Sequence, residues 1–133
     1  MSEIIKYEVK DNAEHLTRGK HLILDIWGVD KKKTTCTATS IILIEEDIIK
    51  IITELGSKVI NQDSVIFENN SYSSYFLLTE SHFSIHSWPE HNYVSIDFYT
   101  CNYNTDMNKA TQLLLKYFNY INYKVKILKR GVK

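Results

Sequence analysis

Several side chains capable of acid–base or nucleophilic chemistry are concentrated in one segment of this 133-residue chain, residues 78–90. A carboxylate and a hydroxyl are adjacent at Glu80 and Ser81, and two histidines, an indole, the single proline and another carboxylate follow. The segment otherwise has the apolar pattern of a half-buried strand, in which a polar group is costly unless it finds a partner. This mixture of groups therefore indicates a reactive site.

A second segment, residues 93–101, is predicted to be a strand with one apolar and one polar face. The alternation places Val94, Ile96 and Phe98 on one face and Ser95, Asp97, Tyr99 and Cys101 on the other. Cys101 could be a small buried hydrophobic residue or a reactive thiol. Its position at the end of the polar face favours the reactive thiol.

Both segments resemble the signature of the prokaryotic S-adenosylmethionine decarboxylases, pyruvoyl-dependent enzymes that make their cofactor from an internal serine. Residues 80–82, Glu-Ser-His, resemble the self-cleavage site of that family. Residues 85–90 resemble its IHTWPE-like segment, and residues 97–101 its DxFTC-like strand. The resemblance extends from Gly19 to about Gly131.

The resemblance implies self-cleavage between Glu80 and Ser81, which would leave a covalent pyruvoyl group at residue 81. The Ser81 hydroxyl would attack the Glu80 carbonyl in an N→O acyl shift, and β-elimination would then separate the two chains. The acyl shift needs hydrogen-bond donors for its oxyanion, and elimination needs a base. By resemblance His86 is that base and Ser73 supports the shift, although Ser73 could also be a polar loop residue.

Strict strand alternation places Ser81 and His86 on opposite faces, since they are five residues apart. A kink or bulge at the cleavage site is therefore predicted.

The substrate chemistry is also implied by the resemblance. The pyruvoyl ketone would form a Schiff base with the α-amino group of the substrate and accept the electrons left as carbon dioxide departs. Cys101 matches the family's proton donor to the decarboxylated carbon. Phe67 and Trp88 match aromatic residues that contact adenine, and Glu90 matches a carboxylate that pairs with ribose hydroxyls; either aromatic could instead belong to the core.

The preferred substrate is S-adenosylmethionine, for spermidine synthesis, but two departures weaken that assignment: Val29 and Val65 stand where the family often has a cysteine and a histidine. A decarboxylase of the same fold acting on L-arginine or L-ornithine is the alternative. An inactive subunit that binds an active partner is a third interpretation, which the presence of Ser81, His86 and Cys101 argues against.

A metal site is not predicted. His82 and His86 form an HxxxH pair, but on a strand four residues span roughly 13 Å, too far for two ligands of one ion. His82 and His91 are interpreted as structural.

Charge and cysteine content restrict the class of protein. Sixteen basic residues balance sixteen acidic ones without a basic stripe, unlike a nucleic-acid-binding protein. The first ten residues are too charged for a signal peptide, and no run approaches a membrane span. Cys36 and Cys101 are too few for a secreted disulfide framework and are expected to be reduced. A cytoplasmic protein with no nucleic-acid or membrane partner is predicted.

Hydrophobic periodicity predicts the elements that position these residues. Strands are predicted over residues 21–27, 59–67, 75–78, 83–86, 93–101 and 123–128. A helix begins at Thr39 or Ser40 and ends before Gly56, and a second covers residues 107–117 with Ala110, Leu113, Leu114 and Tyr117 facing inward. The lysine run at residues 31–33 marks a loop, either solvated surface or a phosphate-binding patch.

The order of elements predicts an α+β two-layer sandwich, a mostly antiparallel sheet with two helices on one face. The domain covers residues 19–133, and residues 1–18 form an N-terminal arm or short edge strand. The second face of the sheet has no predicted cover. The resemblance implies a homodimer with sites at the subunit interface, and the uncovered face is the physical reason to expect a partner.

Overall fold

A computed structural model describes residues 18–132, which form an antiparallel sheet with helices on one face. The predicted arm lies outside the described residues apart from Arg18. The strands are β1 (Gly19–Trp27), β2 (Val59–Ile66), β3 (Tyr72–Leu78), β4 (Ser81–Trp88), β5 (Tyr93–Thr100) and β6 (Asn122–Arg130). Their order across the sheet is β2-β3-β4-β5-β1-β6, and every neighbouring pair is antiparallel. The predicted α+β sandwich is confirmed.

Strands β3 and β4 are longer than predicted. Polar residues at the start of β3, such as Ser73, are paired with β4, and Ser81 is paired with both Leu78 and Thr100. Pairing with a neighbouring strand on each side keeps these polar residues in the sheet, although their own sequence is not strand-like.

The helical segments of the described region are α1 (Lys31–Thr34), α2 (Ile41–Glu54) and α3 (Met107–Phe118), with a short 3₁₀ turn at Pro89–His91. The loop prediction for the lysine run is wrong, because these residues form the single turn α1, which is capped by the Asp30 side chain. Lys31 and Lys33 donate hydrogen bonds to the carbonyl groups of Pro89 and Tyr117. These two ammonium groups therefore connect elements of the fold, which does not favour a phosphate patch.

Helix α2 buries the predicted face, formed by Ile41, Ile44, Ile48, Ile51 and Ile52. Ser40 occupies the N-cap position, one of the two predicted for the start of this helix, but its side chain makes no capping bond to the helix. Instead Thr37 and Ser40 exchange hydrogen bonds, since the Ser40 amide donates to the Thr37 hydroxyl and the Thr37 amide to the Ser40 hydroxyl. The turn that leads into α2 is thus closed by hydrogen bonds between residues 37 and 40.

Helix α3 is rotated from the predicted orientation. Its buried residues are Met107, Ala110, Thr111, Leu114, Leu115 and Phe118, whereas Leu113 and Tyr117 are only partly buried. The Tyr117 hydroxyl donates a 3.0 Å hydrogen bond to Asp47 of α2, and its ring lies 4.0 Å from the Lys33 ammonium. Tyr117 therefore lies at the boundary between the helices.

None of the helices in the described residues has the length and apolar character needed to cross a membrane.

The core lies between the helices and one face of the sheet, as the alternation predicted. The central strands contribute Leu22, Leu24, Ile26, Phe83, Ile85, Val94, Ile96 and Phe98, each at most 1% exposed.

The opposite face of the sheet, called here the open face, has no covering layer in the described part of the chain. On β2, β3 and β4, and just past the end of β2, it exposes large apolar side chains, namely Val65, Phe67, Tyr75, Leu77 and Trp88. Several large apolar side chains exposed on one face of a sheet are typical of an interaction site.

Toward β1 and β5 the open face carries polar pairs. Tyr93 donates a 2.6 Å hydrogen bond to Asp25 and stacks on Trp27, with 5.2 Å between the ring centroids. Loss of solvent raises the pKa of Tyr93 to about 12, and the hydrogen bond and charge of Asp25 act in the same direction.

The raised pKa of Tyr93 predicts a loss of stability at alkaline pH. An unfolded tyrosine ionises near about pH 10, so between about pH 10 and pH 12 the unfolded chain binds fewer protons and the free energy of unfolding falls as pH rises. Tyr93→Phe removes this titration, so the free energy of unfolding of the variant should fall less steeply with pH in that window. Urea unfolding at a series of pH values measures both slopes, and equal slopes would contradict the assignment.

Candidate active site

The predicted cleavage site lies at the tight hairpin between β3 and β4. Leu78 and Ser81 are paired across it, so that Thr79 and Glu80 form the turn and Ser81 is the first residue of β4. The Ser81 hydroxyl oxygen is buried without a hydrogen-bond partner among the described residues. A buried polar atom without a partner costs about 1–3 kcal/mol, so its presence in a native fold requires a reason.

The Glu80 carbonyl, which precedes this hydroxyl, is held by a backbone donor. The Cys101 amide donates a 3.2 Å hydrogen bond to the Glu80 oxygen across the end of the sheet. Negative charge would develop on this oxygen if a nucleophile attacked the carbonyl carbon, and a donor already in place stabilises such charge. Glu80, Ser81 and Cys101 thus form one group, called here the cleavage end.

The predicted bulge at this site is wrong. Both ladders of β4 are in continuous register, with Ser81 opposite Leu78 on one side and Thr100 on the other. The register shift of this half of the sheet lies instead in β2, between Val59 and Asn61. Because an extra residue in β4 would disturb two ladders at once, the strand remains regular and its residues alternate strictly.

His86 consequently lies on the open face, away from Ser81. Five residues of strand separate the two by roughly 17 Å. The His86 Nδ1 atom lies 2.7 Å from the Ser73 hydroxyl, and these residues are directly opposite in the β3–β4 ladder. Ser73 is therefore a strand residue and not part of a loop. Both side chains line a cavity of about 190 Å³ that opens beside β2, β3 and β4.

The three predicted substrate residues are found at the same end as His86. Phe67 follows the last residue of β2 and Trp88 ends β4, and they are 51% and 47% exposed. Glu90 is exposed in the 3₁₀ turn after β4. These residues, together with Ser73 and His86, are called here the aromatic end. Trp88 is seven residues along β4 from Ser81, or roughly 24 Å.

A cluster of rings surrounds Tyr99, two residues before Cys101. The Tyr99 ring stacks on His82 at 5.7 Å and meets His21 edge to face at 5.9 Å. The Arg130 guanidinium lies 5.6 Å from the same ring. The sequence placed Tyr99 on the polar face of β5 but gave it no role. Its spacing of two residues from Cys101, which puts both side chains on one face of a strand, was the signal that could have pointed to it. His82 packs against this ring, on the open face of β4.

The proton positions on His21 follow from its two partners. The Arg130 Nη1 atom lies 3.3 Å from Nδ1, and arginine can only donate. The His21 Nε2 atom lies 2.8 Å from Asp97, so it carries the proton and donates to the carboxylate. Among residues 18–132 no three His, Cys, Asp or Glu side chains are grouped as a metal site would require.

Comparison with known proteins identifies the family. The profile described as S-adenosylmethionine decarboxylase matches residues 20–131. The S-adenosylmethionine decarboxylase proenzyme 2 of Bacillus anthracis is 31% identical over 119 residues, covering 90% of this chain and 94% of that protein. The arginine decarboxylase proenzyme of Hyperthermus butylicus is 33% identical over 129 residues, covering 92% of this chain and 80% of that protein.

A solved structure agrees with these sequence relationships. The crystal structure of the adenosylmethionine decarboxylase from Aquifex aeolicus superimposes with a TM-score of 0.77 at 26% identity, covering 88% of this chain and 93% of that one. The fold and the matched relatives thus define a member of a group of decarboxylase proenzymes. This chain belongs to the S-adenosylmethionine decarboxylase family.

Proposed function

We propose that this chain is the proenzyme of a pyruvoyl-dependent decarboxylase, which cleaves itself between Glu80 and Ser81 and acts on S-adenosylmethionine. The observation that carries the proposal is the buried Ser81 hydroxyl without a partner among the described residues, next to a Glu80 carbonyl held by the Cys101 amide. A purely structural serine at this position would be expected to bond to a neighbouring group.

The residues at the cleavage end fit the formation of a pyruvoyl group at residue 81. The Ser81 oxygen attacks the Glu80 carbonyl carbon, the peptide C–N bond breaks, and an ester replaces it. The Cys101 amide stabilises the oxyanion of this step. Loss of the Ser81 α-proton to a base then expels the Glu80 carboxylate, and hydrolysis of the resulting dehydroalanine releases ammonia. Chains 1–80 and 81–133 result.

The base is His86, but its position supports action from a second subunit. Within one protomer roughly 17 Å of regular strand separates His86 from Ser81, and no bulge shortens that distance. The Ser73 hydroxyl, 2.7 Å from the His86 ring, orients it on the open face. If the open faces of two copies pack together about a twofold axis, the aromatic end of each copy can lie against the cleavage end of the other.

The exposed apolar side chains of the open face give an independent reason for this dimer. Val65, Leu77 and Trp88 are each between 44% and 56% exposed on the open face. Packing this surface against a second copy removes it from water at a gain of roughly 25 cal/mol per Å² of apolar area. A symmetric pair of open faces then contains two composite sites, each formed by the cleavage end of one copy and the aromatic end of the other.

Turnover uses both ends of the composite site. The pyruvoyl group supplies an electron sink for the decarboxylation of an α-amino acid. Cys101, exposed at the end of β5, donates the proton that replaces the lost carboxyl group. Both cysteines are free thiols, and a donor thiol must stay reduced, which supports a reducing compartment such as the cytoplasm.

The aromatic end favours S-adenosylmethionine as the substrate. An adenosyl group needs an aromatic surface and an acceptor for its ribose hydroxyls, and Phe67, Trp88 and Glu90 lie at one end of the sheet with those chemistries. The relative named as an arginine decarboxylase proenzyme keeps L-arginine as the second candidate, with L-ornithine beside it. For those substrates Glu90 would pair with the distal cation.

Maturation tests the cofactor. Purified wild-type protein should give two fragments by intact-mass measurement, and Ser81→Ala should remain whole because no hydroxyl is left to attack. Cys101→Ala is the matched variant that should still cleave, since its contribution to cleavage is a backbone amide. A wild-type chain that stays whole at 15.6 kDa and still decarboxylates would contradict the pyruvoyl mechanism.

Action across the subunit interface is tested by mixing two inactive variants. Ser81→Ala and His86→Ala should each fail to cleave alone. Co-expressed with different tags, the two variants should form mixed dimers. In these dimers the His86→Ala chain should be cleaved, because the intact His86 of the Ser81→Ala chain acts on its Ser81. If base and serine act within one chain, no fragment appears in the mixture. Sedimentation velocity checks that mixed dimers form.

Substrate choice is tested with Trp88→Ala. Losing an aromatic stack costs roughly 1–3 kcal/mol, so KM for S-adenosylmethionine should rise about tenfold to a hundredfold. The yield of cleaved chain, measured by mass in the same preparation, controls for a processing defect. Carbon dioxide released from labelled arginine or ornithine, with none from S-adenosylmethionine, would establish the second candidate instead.

A further inference from the structure

The Tyr99 hydroxyl is a polar group beside the candidate site that the mechanism above does not use. Tyr99 lies on the open face of β5, two residues before Cys101. The DxFTC-like motif that this strand resembles has phenylalanine at that place. The ring therefore has the expected shape, and the hydroxyl is an addition of this chain.

The ring of Tyr99 is held from three strands. His82 of β4 stacks on one face, His21 of β1 packs against an edge, and Arg130 of β6 lies over the ring. His21 is in turn fixed between Asp97 and Arg130. A ring with so many neighbours has one orientation, and its hydroxyl consequently has one direction.

Gly19 provides the space for that hydroxyl. A Cβ atom at Gly19 would lie 2.5 Å from the Tyr99 oxygen and 2.7 Å from the ring carbon that carries it. Contacts this short are not tolerated, so any larger residue at position 19 would push the phenol out of place. The start of β1 therefore accommodates the tip of the Tyr99 side chain.

The hydroxyl of Tyr99 lies at the level of residue 101, because Gly19, which it adjoins, precedes Lys20, and Lys20 is paired with Thr100 in the β1–β5 ladder. The pKa of Tyr99 is raised, mainly by loss of solvent, then by the charge of Cys101 and a hydrogen bond to it, while Arg130 opposes the change. Since the shift is upward, the phenol keeps its proton at neutral pH and remains a donor. A neutral donor beside a thiol stabilises the thiolate form.

We propose that the Tyr99 hydroxyl positions the Cys101 thiol for its proton transfer and stabilises the thiolate that remains. The inference rests on the proposed function, in which the Cys101 proton passes to the substrate carbon. The sulfur keeps the electron pair of the broken S–H bond, and Tyr99 donates a hydrogen bond without losing its proton. Because Cys101 is exposed, water returns the proton to the sulfur before the next turnover.

Other charged or titratable residues surround the same place and must be kept constant in any test. They are His21 of β1, His82 of β4 and Arg130 of β6, which contact the Tyr99 ring, and Glu80 of the hairpin, whose backbone carbonyl accepts from the Cys101 amide. Tyr99→Phe deletes one oxygen and leaves all four residues, so it isolates the effect of the hydroxyl.

The pH dependence of Cys101 alkylation tests the inference without any cofactor. In a Ser81→Ala background, which cannot cleave, iodoacetamide labelling of Cys101 is followed by peptide mass, and Cys36 is buried and separately resolved. Tyr99→Phe should move the pH midpoint of labelling up by roughly one unit, because the thiolate loses a donor. Tyr123→Phe, an identical change on β6 away from Cys101, should keep the midpoint of the background protein.

Turnover provides the second readout. In the cleaved enzyme Tyr99→Phe should lower kcat several-fold with little change in KM, because the hydroxyl acts through Cys101 and not on the substrate. An unchanged labelling midpoint in Tyr99→Phe would overturn the inference even if the wild-type enzyme decarboxylates. A wild-type chain that neither cleaves nor decarboxylates would overturn the proposed function, and the labelling result would still decide whether Tyr99 stabilises the thiolate.

Discussion

Side chains alternate between the two faces of a β-strand, and in β4 both neighbouring strands hold that alternation in continuous register. A slip of one residue would turn Phe83 and Ile85, both fully buried, out of the core. Such a change removes two large side chains from the interior, and each is worth about 2–5 kcal/mol. Core packing therefore keeps Ser81 and His86 on opposite faces of β4, and the extended chain between them places them at its two ends.

The open face carries both apolar and chemically active side chains for the same reason. Residues excluded from the helix-facing core by alternation include apolar ones, such as Trp88 and Leu77, and chemically active ones, such as His86. A single protomer leaves both kinds exposed. Packing two open faces together would bury the apolar side chains and complete the two sites at once, so the pair of chains is the functional unit that we propose.

The surroundings of Cys101 differ in kind from those of His86. His86 is oriented by a hydrogen bond with the Ser73 hydroxyl, beside a cavity. At the other end Tyr99 is held by ring packing from three strands and by the absence of a side chain at Gly19. Aromatic packing excludes water and allows one orientation, which suits a group that must hold a thiol in one direction. The glycine at the start of β1 thus contributes to the site through the space that it leaves.

The sequence by itself determined the sandwich, the buried face of α2 and the alternation of β5, because periodic burial is a local pattern of the chain. It also determined the candidate residues at positions 80, 81, 86 and 101 through their resemblance to a family motif. Tertiary structure alone decided the extent of β3 and β4, the rotation of α3 around Tyr117 and the regular register at Ser81, since pairing and packing with distant segments override local preference. It also decided which candidates meet, because Ser73 and His86 become neighbours only across a ladder and Tyr99 meets His21 and Arg130 only across three strands.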